Sequence, residues 1–350
     1  MFTDPIYRRE LASTLDPQLD ISCLKGRSLM ISGATGMIGS YLVDLIGYLN
    51  ETQALGCTVY ALGRSAEKAQ GRFAAFWGQP WFQFISCDIN AGIPEVAKKV
   101  DYILHAASNT HPVAYATDPI GTVTTNIIGT YNLLEYAAAH ETARFVFAST
   151  VEVYGENRGD TEYFAEDYCG YIDCNTLRAG YPESKRAGEA LCQAYIRQKG
   201  LDVVIPRLSR VYGPTMLMSD TKALSQFIKN SLAGENIVLK SAGTQFFSYS
   251  YVADAVSGIL YCLCKGACGE AYNIADTASD ITLRDLAAAI AAEAGTQVVF
   301  EIPDAVESAG YSKATKAVLD SAKLQTLGWK AKWNIQTGIA ATMAILKNRI

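Results

Sequence analysis

The chain has 350 residues, 49% of them hydrophobic and 19% charged, with a formal net charge of -5. That composition can bury a large core, and it offers no basic stripe to a nucleic acid or an anionic membrane. The opening segment, Met1 to Asp20, is mixed and charged without the apolar core of a signal peptide, and no stretch reaches transmembrane length, so a cytoplasmic location is expected.

The expected strands of the first two thirds are Ser28 to Ser32, Thr58 to Leu62, Phe82 to Ser86, Tyr102 to His105, Phe145 to Ala148 and Val203 to Pro206. They are short and apolar, and helical segments usually separate them, the longest at Ile120 to Ala139 and Ala179 to Gln198. This alternation is the pattern of a parallel sheet covered on both faces. The first strand runs into Gly33, Gly36 and Gly39, followed by an apolar helical repeat from Tyr41 to Ile46. In such a turn glycine permits the sharp bend, the approach of backbone to a pyrophosphate, and close helix-on-strand packing, while N–H groups at the helix start face the anion. A dinucleotide is the implied ligand. The spacing is G-x-x-G-x-x-G, and read alone it also fits, less well, a glycine-rich turn of no chemical consequence.

Past Arg207 the elements become shorter and less regular: Ala223 to Leu232, Ile237 to Leu239, Phe246 to Val252, Ala253 to Cys264, Leu283 to Ala292, Val298 to Phe300 and Gln336 to Leu346. The expectation is a smaller mixed lobe over the carboxyl edge of the sheet, where open α/β sheets hold ligands. The fold class is therefore α/β, a doubly wound parallel sheet with a smaller mixed C-terminal substrate lobe. Its expected divisions are an N-terminal extension over 1–26, a dinucleotide-binding domain over 27–207 with part of 246–275, and a substrate lobe over 208–245 and 276–350.

Nine scattered cysteines do not form a disulfide framework in a chain this long. Cys262, Cys264 and Cys268 are the tightest group, but none of the three histidines, His105, His111 and His140, is near them in sequence. Zinc needs four ligands at defined spacing, so no metal is expected.

The second strand ends in Gly63-Arg64-Ser65, without the acidic residue that accepts a ribose 2'-hydroxyl; Arg64 and Ser65 can instead hold a 2'-phosphate, which favours NADP. Asp88, after the third strand, suits the adenine amino group or a turn cap. The catalytic signal is Tyr181-Pro182-Glu183-Ser184-Lys185, which puts a phenol and an ammonium on one helical face. A nearby cation favours phenolate, and such a tyrosine can move the proton of a sugar hydroxyl. Thr150, at the end of Phe147-Ala148-Ser149-Thr150, can hydrogen-bond the same hydroxyl.

With GATGMIG (Gly33 to Gly39), HAAS (His105 to Ser108), TNIIGTYNLLEYA (Thr125 to Ala137), STVEVYG (Ser149 to Gly155), YPESK (Tyr181 to Lys185) and RLSRVYGP (Arg207 to Pro214), the chain resembles extended short-chain dehydrogenase/reductases of the nucleotide-sugar epimerase/dehydratase family. The similarity runs from Gly26 to the C-terminus and is closest to UDP-glucuronate decarboxylases and hexose 4,6-dehydratases. It implies a Rossmann lobe, tightly bound NAD or NADP, a nucleotide-activated sugar as partner, transient oxidation at sugar C4, and a homodimer formed by the two long helices. By the same resemblance Thr35, Met37, Ile38, Ile89, Ala106, Ala107, Ser108, Asn126 and Lys185 join the glycines, Arg64, Ser65 and Asp88 around the cofactor. Ser108, Thr150, Arg178 and Arg210 face the substrate, and Thr150, Glu152, Tyr181 and Lys185 are catalytic.

Glu152 can move a carbon-bound proton once a C4 ketone has acidified the neighbouring carbon. Four departures from the family bear on the substrate: Val151 replaces a polar residue, Phe247 and Thr215 stand where arginines are common, and Arg210 stands where asparagine is usual. A dehydratase or decarboxylase-like enzyme is the leading expectation. The alternatives are a C4 epimerase, a net NADPH-dependent keto-sugar reductase, and a non-catalytic dinucleotide-binding regulator.

Overall fold

The computed structural model describes residues 1–110, 115, 117–301 and 315–348. His111 lies outside them. Seven parallel strands form the central sheet: β1 (Ser28–Ser32), β2 (Thr58–Gly63), β3 (Phe82–Ser86), β4 (Tyr102–His105), β5 (Arg144–Phe147), β7 (Val203–Leu208) and β11 (Ala271–Ile274). Their spatial order is β11-β7-β5-β4-β1-β2-β3, with the two-residue strand β6 (Ser149–Thr150) pairing β7. The chain steps outward from β1 to β3 and returns on the other side of β1 at β4, so the order of strand addition reverses between β1 and β4. Ligands of open parallel sheets gather at that point. All five residues of β1 are buried, as a strand covered on both faces requires.

β7 ends at Leu208, and the next strand, β8 (Arg210–Tyr212), already belongs to a second sheet. There β10 (Phe246–Tyr251) pairs with β8, β12 (Asp280–Thr282) and β14 (Lys316–Ala317), and the short pair β9 (Ile237–Leu239) and β13 (Val298–Phe300) stands apart. From β10 the chain re-enters the first layer through the helix Val252–Lys265, which is buried along most of its length. The two sheets are thus joined without a long linker: one residue separates β7 from β8, and the helix follows β10 directly.

The expected long helix over 120–139 is three pieces end to end: Pro119–Thr124, a π turn over Thr125–Gly129, and Thr130–Ala139. Asp118 caps its start by accepting from the Gly121 N–H, with Pro119 at the first position. The π turn turns Asn126 fully inward. The second long helix spans Gly180–Lys199 and stops at Gly200, which takes the left-handed conformation.

The N-terminal extension is also structured. Asp4 caps a helix over Pro5–Thr14, and its inner face is anchored by polar contacts. The Tyr7 hydroxyl donates to Asp44 at 2.7 Å, Tyr251 donates to Glu10, and Thr14 meets the Tyr41 hydroxyl at 2.7 Å. Asp44 is completely buried and also binds Arg72, so three elements converge on one carboxylate.

Candidate active site

The glycine turn sits at the β1/β4 reversal, and its geometry explains each glycine. Gly33 has φ +73°, and a Cβ there would lie 2.8 Å from the Ala106 carbonyl and the Ala107 backbone. A Cβ on Gly39 would stand 2.5 Å from the Gly33 carbonyl, and one on Gly36 would stand 3.2 Å from that same atom. Gly36 begins the helix Met37–Gln53 without a side-chain cap, so the first N–H groups face outward toward the carboxyl edge. A backbone cradle that a single methyl would fill, at an uncapped helix start, fits a dinucleotide pyrophosphate.

Other expected cofactor residues surround this turn. Thr35, Met37 and Ile38 belong to it; Ala106, Ala107 and Ser108 follow β4 directly across from Gly33. Arg64 is exposed at the end of β2, whereas Ser65 accepts from the Lys68 N–H and caps the helix Ala66–Arg72. Asp88 is exposed, and one of its oxygens accepts from the Asn90 N–H at 3.0 Å, a turn-capping bond. Ile89 is buried against the π turn, close to the place a Cβ on Gly129 would occupy. Asn126 does not reach the cleft with its side chain: it is fully buried and donates to Ser184 at 3.0 Å. Its backbone carbonyl accepts from Thr130, which bridges to His105 and through it to Ser32. Burial holds His105 well below the usual imidazole range, so this chain of contacts ties β1, β4 and the broken helix together through a neutral ring.

The reacting groups lie beside the cradle. Ser149 and Thr150 form β6, and the Thr150 hydroxyl accepts from the Glu152 N–H at 3.3 Å, starting a short turn over Val151–Tyr154. Tyr181, at the start of its helix, is buried and in hydrogen-bonding reach of Thr150. Lys185, one turn on, is 3% exposed, donates to the Ala148 carbonyl at 2.8 Å and lies 4.7 Å from the Phe147 ring centre. Burial pushes its ammonium down to about 8, partly offset by Glu189.

The cation that acts on the Tyr181 phenol is Arg178, not Lys185. Burial raises the phenol; Thr150 and Arg178 pull it back only in part, and Glu152 pushes it higher. Lys185 has turned its proton to the Ala148 carbonyl, so its charge is engaged at the strand and not at the phenol.

Glu152 lies between two guanidiniums, 3.2 Å from Arg178 and 3.7 Å from Arg210. Arg178 continues over the Tyr115 ring at 5.1 Å, and Tyr115 stacks on Tyr181 at 5.2 Å. Arg210 lies 3.6 Å from the centre of the Phe247 ring. An unbroken series of contacts, Phe247, Arg210, Glu152, Arg178, Tyr115 and Tyr181, thus runs from the second sheet to the phenol. Val151 is buried among apolar neighbours, and Thr215 donates to the Met37 carbonyl at 2.9 Å, tying the second lobe to the glycine-turn helix.

Sequence reasoning missed Tyr115, Glu189 and, in its role, Arg207. Arg207 grips both Glu189 oxygens, at 3.0 and 2.7 Å, and Glu189 also accepts from Ser149 at 2.5 Å. This bidentate pair fixes the floor beneath Thr150. Arg207 and Glu189 are 18 residues apart with no common motif, and Tyr115 stands in a non-periodic segment, so no spacing flagged them.

A parallel sheet with a glycine cradle at its switch point, a strand-end hydroxyl and a buried Tyr-x-x-x-Lys pair are the features of a Rossmann-type NAD-dependent enzyme. The model of the NAD dependent epimerase/dehydratase family matches residues 29–275, and the chain belongs to that family. A UDP-glucuronic acid decarboxylase 5 of Arabidopsis thaliana is 30% identical over 317 residues, covering 91% of this chain and 88% of that protein. The UDP-glucuronic acid decarboxylase 1 of Xenopus tropicalis is 33% identical over 67% of this chain and 53% of its own length. Among solved structures, a dTDP-glucose 4,6-dehydratase of Streptomyces venezuelae with NAD bound superposes with TM-score 0.77 at 25% identity, covering 92% of this chain and 97% of its own. A UDP-glucuronic acid 4-epimerase of Bacillus cereus has TM-score 0.76 at 24% identity, over 92% of this chain and all of its own.

Proposed function

We propose that this enzyme acts on a nucleotide-linked hexuronic acid, forms a C4 ketone and releases the sugar carboxyl as carbon dioxide. The observation that carries the reading is Glu152 held between Arg178 and Arg210 beside the Thr150–Tyr181 pair. Positive charge is concentrated at the sugar end of the cleft, where a carboxylated ring would need it. The buried Val151 has no proton to give a departing hydroxyl, which disfavours dehydration.

The cradle of Gly33, Gly36 and Gly39, with the Met37–Gly39 N–H groups, would hold the pyrophosphate of NAD, and Lys185 the nicotinamide ribose. When bound, NAD supplies a hydride acceptor at C4 and returns the hydride after the carbon chemistry. Arg64 remains the group that would admit NADP. For the protein's part, Thr150 positions the C4 hydroxyl, and Tyr181, after releasing its phenol proton to solvent, takes the hydroxyl proton as phenolate. A ketone at C4 makes the substrate a β-keto acid: the C5–C6 bond breaks, its electron pair passes into an enolate, and carbon dioxide leaves. A proton from solvent must then reach C5, and Glu152, ionised between its two arginines, would take it up and pass it on. Tyr181 finally returns its proton to the C4 oxygen.

We also take the enzyme to be a cytoplasmic homodimer. The first long helix exposes Ile120, Ile128 and Tyr131, and Leu177 is exposed just ahead of the second, an apolar set suited to a second copy. All nine cysteines are free thiols, in keeping with a reducing compartment. No described helix is long and apolar enough to cross a membrane.

The test is product mass after incubation with NAD and UDP-glucuronate, UDP-glucose or dTDP-glucose. Loss of 44 mass units as carbon dioxide from the uronate alone, a figure set by the stoichiometry at about 44, supports the reading. Loss of water from a hexose, or an unchanged mass with inverted C4, contradicts it.

A further inference from the structure

Arg210 is the first residue of the second sheet, directly opposite Tyr249 on β10 and diagonal to Phe247. Its guanidinium lies flat enough on the Phe247 ring to put its central carbon 3.6 Å from the ring centre. That stack fixes the plane of the group and leaves its N–H donors pointing around the rim. One terminal nitrogen faces Glu152 at 3.7 Å, an ion pair longer than a hydrogen bond. The other, Nη1, is a buried atom with no hydrogen-bond partner among the described residues. A buried guanidinium donor without an acceptor is costly, and folds retain such groups where an acceptor arrives from outside.

The identity of that acceptor follows from charge and position. Two arginines share one glutamate, so the Arg178–Glu152–Arg210 group carries a formal excess of one positive charge. Glu152 is joined to Thr150, and Thr150 to Tyr181, which places Arg210 beside the reacting ring and away from the glycine cradle. A planar fork of donors matches a planar pair of carboxylate oxygens. Building on the decarboxylase reading above, we infer that Arg210 is the specificity-determining residue that selects a sugar bearing a carboxylate next to the reaction centre. Phe247 is its positioning platform.

The test is binding, read by titration calorimetry with UDP, UDP-glucose and UDP-glucuronate on wild-type protein, Arg210→Gln and Arg210→Lys. Wild-type protein should prefer the uronate to the neutral sugar. Arg210→Gln should lose about 10- to 100-fold in affinity for the uronate, the range expected for charge-assisted hydrogen bonds, while the other two ligands change by less than about 3-fold. Arg210→Lys should restore part of the loss, since it returns the charge without the fork, and it serves alone if the Gln variant fails to fold. Equal losses on all three ligands would assign Arg210 to the diphosphate and overturn the inference, as would unchanged affinities. Turnover is scored separately. A wild-type preference for the uronate that Arg210→Gln abolishes, without release of carbon dioxide, leaves the role of Arg210 standing and removes the decarboxylase reading. Release of carbon dioxide with unchanged uronate affinity in Arg210→Gln does the reverse.

Discussion

The two walls of the cleft are built from different materials. On the nucleotide side, backbone presses on backbone: Gly33 against Ala106 and Ala107, Gly39 against Gly33 and Ala34. On the sugar side, charged and aromatic side chains from four separate segments lean on one another, with Glu152, Arg178, Arg210 and Phe247 at the centre. A wall made of backbone admits almost no substitution, because any Cβ collides with atoms that cannot move alone. A wall made of side chains can exchange a guanidinium at one position for one at another, and thus change its ligand without changing the fold. The first wall constrains its ligand through backbone; the second can vary with its ligand.

The sharpest way to separate the walls is Tyr181→Phe. It should lower turnover by about 10²- to 10⁴-fold, the usual contribution of a general acid-base group, with melting temperature and NAD binding nearly unchanged. Near-normal turnover would mean the proton passes elsewhere. Gly39→Ala should give the opposite pattern. Its Cβ meets the Gly33 carbonyl at 2.5 Å, so a loss of about 1–3 kcal/mol in stability is expected, together with weakened NAD binding. Unchanged denaturation midpoints would show that the turn relaxes freely.

Legibility in the sequence divides along the same line. The glycine turn, six strands of the central sheet and the Tyr181–Lys185 spacing were readable because backbone constraints and helical periodicity are local, whereas the edge strand β11 and the short strands β8, β12 and β14 were not expected. Strand ends shifted by only a residue or two, as with β5, which runs Arg144–Phe147. The sugar wall was read only as a set of candidates. Arg210 could be noted as an unusual residue, but its stacking on Phe247 depends on the pairing of β8 with β10, 39 residues away in the Arg210 to Tyr249 register. The helix at Pro5–Thr14 escaped notice because its anchors, Tyr7, Glu10 and Thr14, are polar and leave no clean apolar stripe. The π turn that buries Asn126 has no sequence signature of its own, and its consequence is that Asn126 serves the scaffold through its side chain.

Titration offers a finer comparison. Lys185 is held down to about 8 by burial, so any rate that requires its charge falls as pH rises through about 8. Its effect on stability has the opposite sign: the unfolded chain binds the extra proton, and stability rises with pH from about 8 toward the ordinary lysine range. A pH–rate profile whose descending limb near 8 vanishes in Lys185→Met would support this, and a limb that persists would assign it to another group. At the N-terminal helix the carboxyl of Glu10 is raised by burial to about 7, and that of Asp254 likewise. Both are neutral when the unfolded chain is charged, so their contribution is full below the ordinary carboxylate range and is lost as pH rises toward 7. The smallest effect expected is in Glu10→Gln, which should flatten the decline in melting temperature between about pH 4.5 and 7 without changing turnover. An unaltered slope would place the titration elsewhere.

The central claim is that Glu152 delivers or removes a proton at the carbon next to C4, and turnover of UDP-glucuronate in heavy water tests it most directly. The account predicts a product 44 mass units lighter through loss of carbon dioxide, by stoichiometry about 44, before adding one solvent deuterium at C5, and a large loss of labelled product in Glu152→Gln, by about 10² or more. A product of unchanged mass with inverted C4 and no solvent deuterium, formed equally well by Glu152→Gln, would contradict it.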